Sequence, residues 1–97
     1  MDIKRIRWAP GAIADLEDIC EFISRDSEHY AALFAKRIIA VVESILDFPL
    51  AGRALAEYED ESIREKIFKN YRIVYRLKDG CVEIVAICNS AKPLKDI

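Results

Sequence analysis

The sequence predicts an α+β fold in which a helical hairpin packs on one face of a mostly antiparallel, four-stranded sheet, in the order β-α-α-β-β-β. Three observations carry that prediction. Apolar residues recur at helical spacing from Ala12 to Leu46, then change from Ile63 onward to strand-length runs rich in β-branched and aromatic residues. The three glycines and three prolines all fall between those segments. Asp79-Gly80, set between two of the β runs, is a strong signal for a two-residue hairpin.

The elements follow in order. Ile3 to Trp8 is a short strand ending in an aromatic. Pro10 suits the first turn of a helix, where its missing N–H costs nothing. Ala12, Leu16, Ile19 and Ile23 then mark one face of a helix of about 15 residues; Ile13 and Cys20 widen it, and Asp15, Glu17, Asp18 and Glu21 take the solvent side. Asp26-Ser27 breaks this helix and offers a cap to the next. Residues 30–47 carry Phe34, Ile38, Val41 and Ile45, flanked by Ala35, Ile39, Val42 and Leu46. So wide an apolar face suits contact with the first helix on one side and a sheet on the other. Phe48 to Arg53 ends the helix, and Glu57, Glu59, Asp60 and Glu61 read as a solvated acidic loop.

Strands are expected at Ile63–Phe68, Tyr71–Lys78 and Cys81–Cys88. The Asp79-Gly80 turn sets Lys78 against Cys81, Arg76 against Glu83, Val74 against Val85 and Arg72 against Ile87. Tyr71, Ile73, Tyr75, Leu77, Val82, Ile84 and Ala86 should then face the helices, and Arg72, Val74, Arg76 and Lys78 the other side. A two-residue Lys69-Asn70 loop would put Ile63 and Ile67 on the basic side; a longer or bulged turn that returns them to the core is preferred, with the register left open.

At 97 residues the chain holds one core and is read as a single domain over 1–97. Fifteen Lys and Arg against seventeen Asp and Glu give a net charge of −2, which excludes a uniformly basic nucleic-acid coat. No apolar run approaches the roughly 18 residues that span a bilayer, and no signal-like segment follows Met1–Arg5, so a cytoplasmic chain without a membrane role is expected. Cys20, Cys81 and Cys88 lack metal-ligand spacing and read as reduced thiols. No metal or cofactor is expected. Local charge is uneven: Arg64, Lys66, Lys69, Arg72, Arg76, Lys78, Lys92 and Lys95 outnumber Glu65, Asp79 and Glu83 between residues 62 and 95. Arg72 and Arg76 on one sheet face could meet phosphate or carboxylate, although Arg76 opposite Glu83 could equally be a cross-strand ion pair. No Gly-rich phosphate loop or catalytic constellation stands out, and His29 reads as a surface or capping residue.

Trp8-Ala9-Pro10-Gly11-Ala12-Ile13-Ala14-Asp15-Leu16-Glu17-Asp18-Ile19 resembles the opening strand–helix signature of the ParE/RelE toxin superfamily. Phe48-Pro49-Leu50-Ala51-Gly52-Arg53 is similar to the family's loop after the helical hairpin, and Ile63-Arg64-Glu65 with Tyr71 to Arg76 looks like its paired C-terminal strands. The resemblance runs in order from about residue 3 to 94, and the family's fold has the same element order.

The resemblance implies the toxin of a bacterial type II toxin–antitoxin pair, a cytoplasmic growth inhibitor of the plasmid-stabilising kind that forms a hetero-oligomer with its antitoxin. It implies an antitoxin surface at Ile38, Val42, Ile45, Tyr75 and Val85, and a target surface at Arg64, Arg72, Arg76 and Lys92. RelE-like members cleave mRNA on the ribosome with basic residues and a C-terminal Tyr or His; ParE-like members are not nucleases and inhibit DNA gyrase. Arg72 matches the RelE-like strand arginine and Lys92 falls near the C-terminal arginine, so an RNase would rest on these two. Against it, Asn89 stands where many relatives have His, no Tyr follows in the tail, and Ala56-Glu57-Tyr58-Glu59-Asp60-Glu61 replaces a lysine-bearing loop with acids that repel phosphate. The ParE-like, non-enzymatic reading is favoured, with a RelE-like endoribonuclease or a non-toxic antitoxin-binding member as alternatives.

Overall fold

The computed structural model describes residues 5–55 and 57–90. Pro10 opens α1 (Pro10–Ser24), and Ser27 caps α2 (Glu28–Ser44) by accepting a hydrogen bond from the Tyr30 N–H at 3.1 Å. The two helices lie against a sheet of β1 (Arg5–Trp8), β2 (Arg53–Ala54), β3 (Ile63–Phe68), β4 (Tyr71–Lys78) and β5 (Cys81–Asn89). Its spatial order is β1-β5-β4-β3-β2, antiparallel except where β1 runs parallel to β5. The α+β class and element order stand. The strand count becomes five, because the residue pair Arg53–Ala54 adds a short edge strand to β3.

The main core lies between the helices and the sheet. Phe34, Ile38, Val42 and Ile45 of α2 and Ala12 of α1 meet Ile73, Tyr75, Leu77, Val82, Ile84 and Ile87. α1 spends less of its predicted stripe: Ile13 is exposed. Asp15 is not a purely solvent residue either; its Oδ2 accepts the Ile87 N–H at 2.9 Å. β1 stops pairing with β5 at Ile84, so beyond that point an α1 side chain takes over a backbone group that would otherwise lack a strand partner.

Two register expectations are corrected. Lys78↔Cys81 and Arg76↔Glu83 hold, but β5 bulges opposite Val74 and Tyr75. Val74 therefore faces Ala86 and Arg72 faces Cys88, rather than Val85 and Ile87. The extra residue inverts the alternation, so Ile87 joins the helix-side core and Ala86 turns to the opposite face. At Lys69-Asn70 the chain makes the tight turn, Phe68 against Tyr71, with Lys69 in the left-handed region (φ 54°). Ile63 and Ile67 consequently lie on the face away from the helices. Ile63 is buried there with Leu55, Val74 and Ala86, in a second small core beneath the loop between β2 and β3; Ile67 is exposed.

Candidate functional site

Arg72 sits on the face away from the helices and is only 7% exposed, beside Glu65 at 4%. Its Nε donates to Glu65 at 2.9 Å and its Nη2 to the same carboxylate at 3.3 Å. Glu57, from the acidic loop, takes Nη1 and Nη2 at 2.8 and 3.1 Å in a bidentate fork. Four of the five guanidinium N–H groups are thereby committed to carboxylates. Arg53 adds a second cation, 3.4 Å from Glu65, and the group is neutral overall. The Glu57 hydrogen bonds, joined by those of Glu65 and opposed by burial, hold the guanidinium pKa above its ordinary value. The depression around this group is about 480 Å³, reaches Ala54 and Ser90, and is open to solvent.

The loop after α2 is clamped by a different polar set. The Tyr75 hydroxyl donates to the Pro49 carbonyl at 2.7 Å and accepts the Gly52 N–H at 3.1 Å. Arg64 donates to the Leu50 and Gly52 carbonyls at 3.2 and 2.8 Å. Gly52 is required because a Cβ there would collide with the Tyr75 hydroxyl and approach the Glu65 carbonyl to 2.8 Å. Burial pushes the Tyr75 phenol above its usual pKa, partly offset by the Gly52 N–H. The clamp leaves Phe48 and Leu50 exposed.

The sequence-predicted target residues are not brought together. Arg64 pairs with Tyr75 and so points to the helix side, where it holds the loop. Arg72 has no acid directly across β5, yet two carboxylates reach it from elsewhere. Arg76 lies 3.7 Å from Glu83, which is also 3.7 Å from Arg7. Lys92 lies outside the described residues. Among the expected antitoxin residues, Ile38, Val42, Ile45 and Tyr75 are at most 1% exposed, because the apolar stripe of α2 is consumed by the sheet beneath it. Val85, half-buried, packs on the small core of the opposite face. Accessible apolar surface lies elsewhere, in exposed side chains such as Phe22, Ile39, Phe48 and Leu50 and in a groove of about 220 Å³ between the end of α1, the start of α2 and the β3–β4 turn, lined by Ile23, Tyr30, Leu33, Phe34, Phe68 and Tyr71 and edged by Arg37 and Lys69.

The profile of the ParE toxin of type II toxin–antitoxin systems (parDE) matches residues 6–93. The chain belongs to the ParE toxin family. It is 32% identical over 92 residues to Y4kP of Sinorhizobium fredii, a chain named as a candidate toxin, covering 93% of this chain and 92% of that one. It is 29% identical over 90 residues to Toxin RelE2 of Caulobacter vibrioides, covering 93% and 99%. A solved structure titled as the chromosomal ParDE toxin–antitoxin system from P. aeruginosa superposes with a TM-score of 0.75 at 18% identity, over 92% of this chain and 98% of that one, and shares the fold.

Two features of this ParE-family toxin escaped sequence reasoning. Glu57 looked like one more acid in a solvated run; that it reaches Arg72, 15 residues on, has no periodic signature. Arg5 and Arg7 join the Arg76 side of the sheet only because β1 pairs in parallel with β5, a pairing the sequence did not specify. The alternation Arg5-Ile6-Arg7-Trp8 was the available signal.

Proposed function

We propose that this toxin is neutralised by a cognate antitoxin in the cytoplasm and, when released, arrests growth by inhibiting DNA gyrase rather than by cutting RNA. The observation that carries this reading is the state of Arg72. An RNase of the RelE-like kind needs that arginine available to a scissile phosphate, and here four of its N–H groups are bound to Glu57 and Glu65. The two carboxylates also place negative charge where a phosphodiester would have to sit. Purified toxin is expected to inhibit supercoiling by gyrase, and induced cells to show a DNA-damage response. Intact supercoiling in the presence of excess toxin would end this assignment.

The similarity to Toxin RelE2 supports a second reading, ribosome-dependent mRNA cleavage using Arg72 and Lys92. Primer extension on translated mRNA separates the two: A-site cuts on induction belong to the nuclease, and their absence to the gyrase inhibitor. Either activity would be controlled by an antitoxin. The groove at Tyr30, Leu33 and Phe68 fits an apolar segment of such a partner, with Arg37 and Lys69 at its rim for acidic flanks. Binding to the folded toxin alone should raise its melting temperature in the complex.

A further inference from the structure

On the sheet face away from the helices, β1, β5 and β4 lay out two cross-strand rungs. One rung runs Arg5–Cys81–Lys78, the next Arg7–Glu83–Arg76. Ile6 and Trp8 pack into the helix-side core, so alternation sends Arg5 and Arg7 to the open face. The four cations line one shallow depression of about 220 Å³ together with Asp79, Cys81 and Glu83. Strand geometry puts them at the corners of a rectangle of about 7 by 10 Å. Glu83 stands between Arg7 and Arg76 at 3.7 Å from each, beyond ordinary hydrogen-bond length, so it compensates both only loosely. The side chains lining the patch keep a surplus of two positive charges, reduced by Asp60, whose carboxylate also interacts with Arg76, in a chain whose total is −2.

We propose that this four-cation patch is the docking surface for an acidic, extended segment of the toxin's protein target. An extended peptide repeats its side chains on one face every two residues, about 6.8 Å apart, which matches the spacing between the two rungs. Carboxylates at alternate positions would each meet an Arg or Lys pair. A single-stranded nucleic acid fits less well. The large exposed aromatics among the described residues are Phe22 and Tyr30 on the helices and Phe48 in the loop after α2, so this face offers no exposed ring for a base to stack on. The patch and the apolar groove lie on opposite sides of the sheet, which leaves the patch open to a second partner while an antitoxin occupies the groove. The assignment of the occupant as a target rests on reading the chain as an antitoxin-controlled toxin.

The test uses the full chain and two charge-matched variants: Arg5→Glu with Lys78→Glu in the patch, and Arg25→Glu with Lys36→Glu on the helices. Fluorescence anisotropy with labelled octaglutamate and with an eight-nucleotide oligothymidylate reads the patch itself; growth arrest and pairing with the antitoxin read its use. Wild type and the helix variant should bind octaglutamate at least tenfold more tightly than the patch variant. The patch variant should lose growth arrest while still pairing with the antitoxin. Tighter binding of the oligonucleotide than of the peptide overturns the proposal, as does equal binding by the two variants. So does a patch variant that still arrests growth or that fails to pair with the antitoxin. If wild type causes no growth arrest while the peptide contrast holds, the toxin reading fails and the acidic-segment site survives.

Discussion

The two faces of the sheet are closed by different chemistry. On the helix side, Ile73, Tyr75, Leu77, Val82, Ile84 and Ile87 bury against Phe34, Ile38, Val42 and Ile45, an almost wholly hydrocarbon contact. On the other side the cover is a loop without helix, and its apolar contribution is small: Leu55 and part of Tyr58 on Ile63, Val74 and Ala86. Beside that small core the Arg72–Glu65–Glu57 group fastens the loop, while the part of the face nearest β1 stays open. A helix can cover a sheet with a continuous apolar stripe. A loop rich in acids cannot, and here it is fastened by one bidentate carboxylate instead. Hydrocarbon contact tolerates substitution in proportion to the volume lost, whereas a buried ion pair fails abruptly when one partner goes.

That contrast can be broken most severely at Arg72. Arg72→Ala leaves the buried Glu65 with only the exposed Arg53, 3.4 Å away, as a counter-charge, and should cost about 3 kcal/mol. A thermal or denaturant melt checks it; a loss below about 1 kcal/mol would mean that Glu65 finds water or Arg53. The combined change Arg72→Met with Glu65→Leu should recover most of the loss, since Glu57 and Arg53 can both turn to solvent. On the helix side, Ile38→Ala should cost about 3 kcal/mol by leaving a cavity under α2, with no charge-balancing partner able to rescue it. Paired melts of these variants measure the two kinds of closure against each other.

Smaller effects sharpen the comparison. Tyr75→Phe leaves the Gly52 N–H and the Pro49 carbonyl without their partner, and should cost about 1–2 kcal/mol. It also carries a pH signature. The Tyr75 pKa is raised on folding, so the folded state holds its proton longer than the unfolded chain does. Its contribution is complete below about pH 10, where the unfolded phenol titrates, and falls as pH rises beyond it. Stability of wild type should therefore decline above that pH more steeply than that of Tyr75→Phe. The smallest change expected is Glu57→Gln. Glu57 is partly exposed, so solvent screens the pair and the loss in global stability should stay below about 1 kcal/mol. Hydrogen exchange should nonetheless report faster opening of the loop between β2 and β3, while α1 and α2 keep their protection. Unchanged exchange in that loop would show that Leu55 and Tyr58 hold it without the carboxylate.

Much of this architecture was legible residue by residue. Helical spacing from Ala12 to Leu46 and the Ser27 cap located both helices, and Asp79-Gly80 located the last hairpin with Arg76 against Glu83. Each of these signals depends on neighbours two to four residues away, where chain geometry decides which side chains share a face. The bulge at Val85 was not legible. It reverses the faces of Ala86 and Ile87, and it lies where β5 passes from β1 to the α1 side chain Asp15. The candidate site was read less well, since Arg64, Arg72 and Arg76 look alike in sequence but do different things in space. Arg64 ties down a loop, Arg72 is neutralised, and Arg76 shares Glu83 with Arg7.

The amino-acid sequence alone determined the order of the helices and the longer strands, the core-facing stripe of the second helix, the hairpin turn and the resemblance to the ParE/RelE toxins, because each is written in local spacing. The tertiary structure decided which charges cancel and which are left over. Glu57 reaches Arg72 across a loop, and Arg5 and Arg7 come alongside Arg76 and Lys78 through a parallel strand pairing. Electrostatic attraction acts through space between groups distant in the chain, so the net charge of a surface is settled only when the strands have chosen their neighbours.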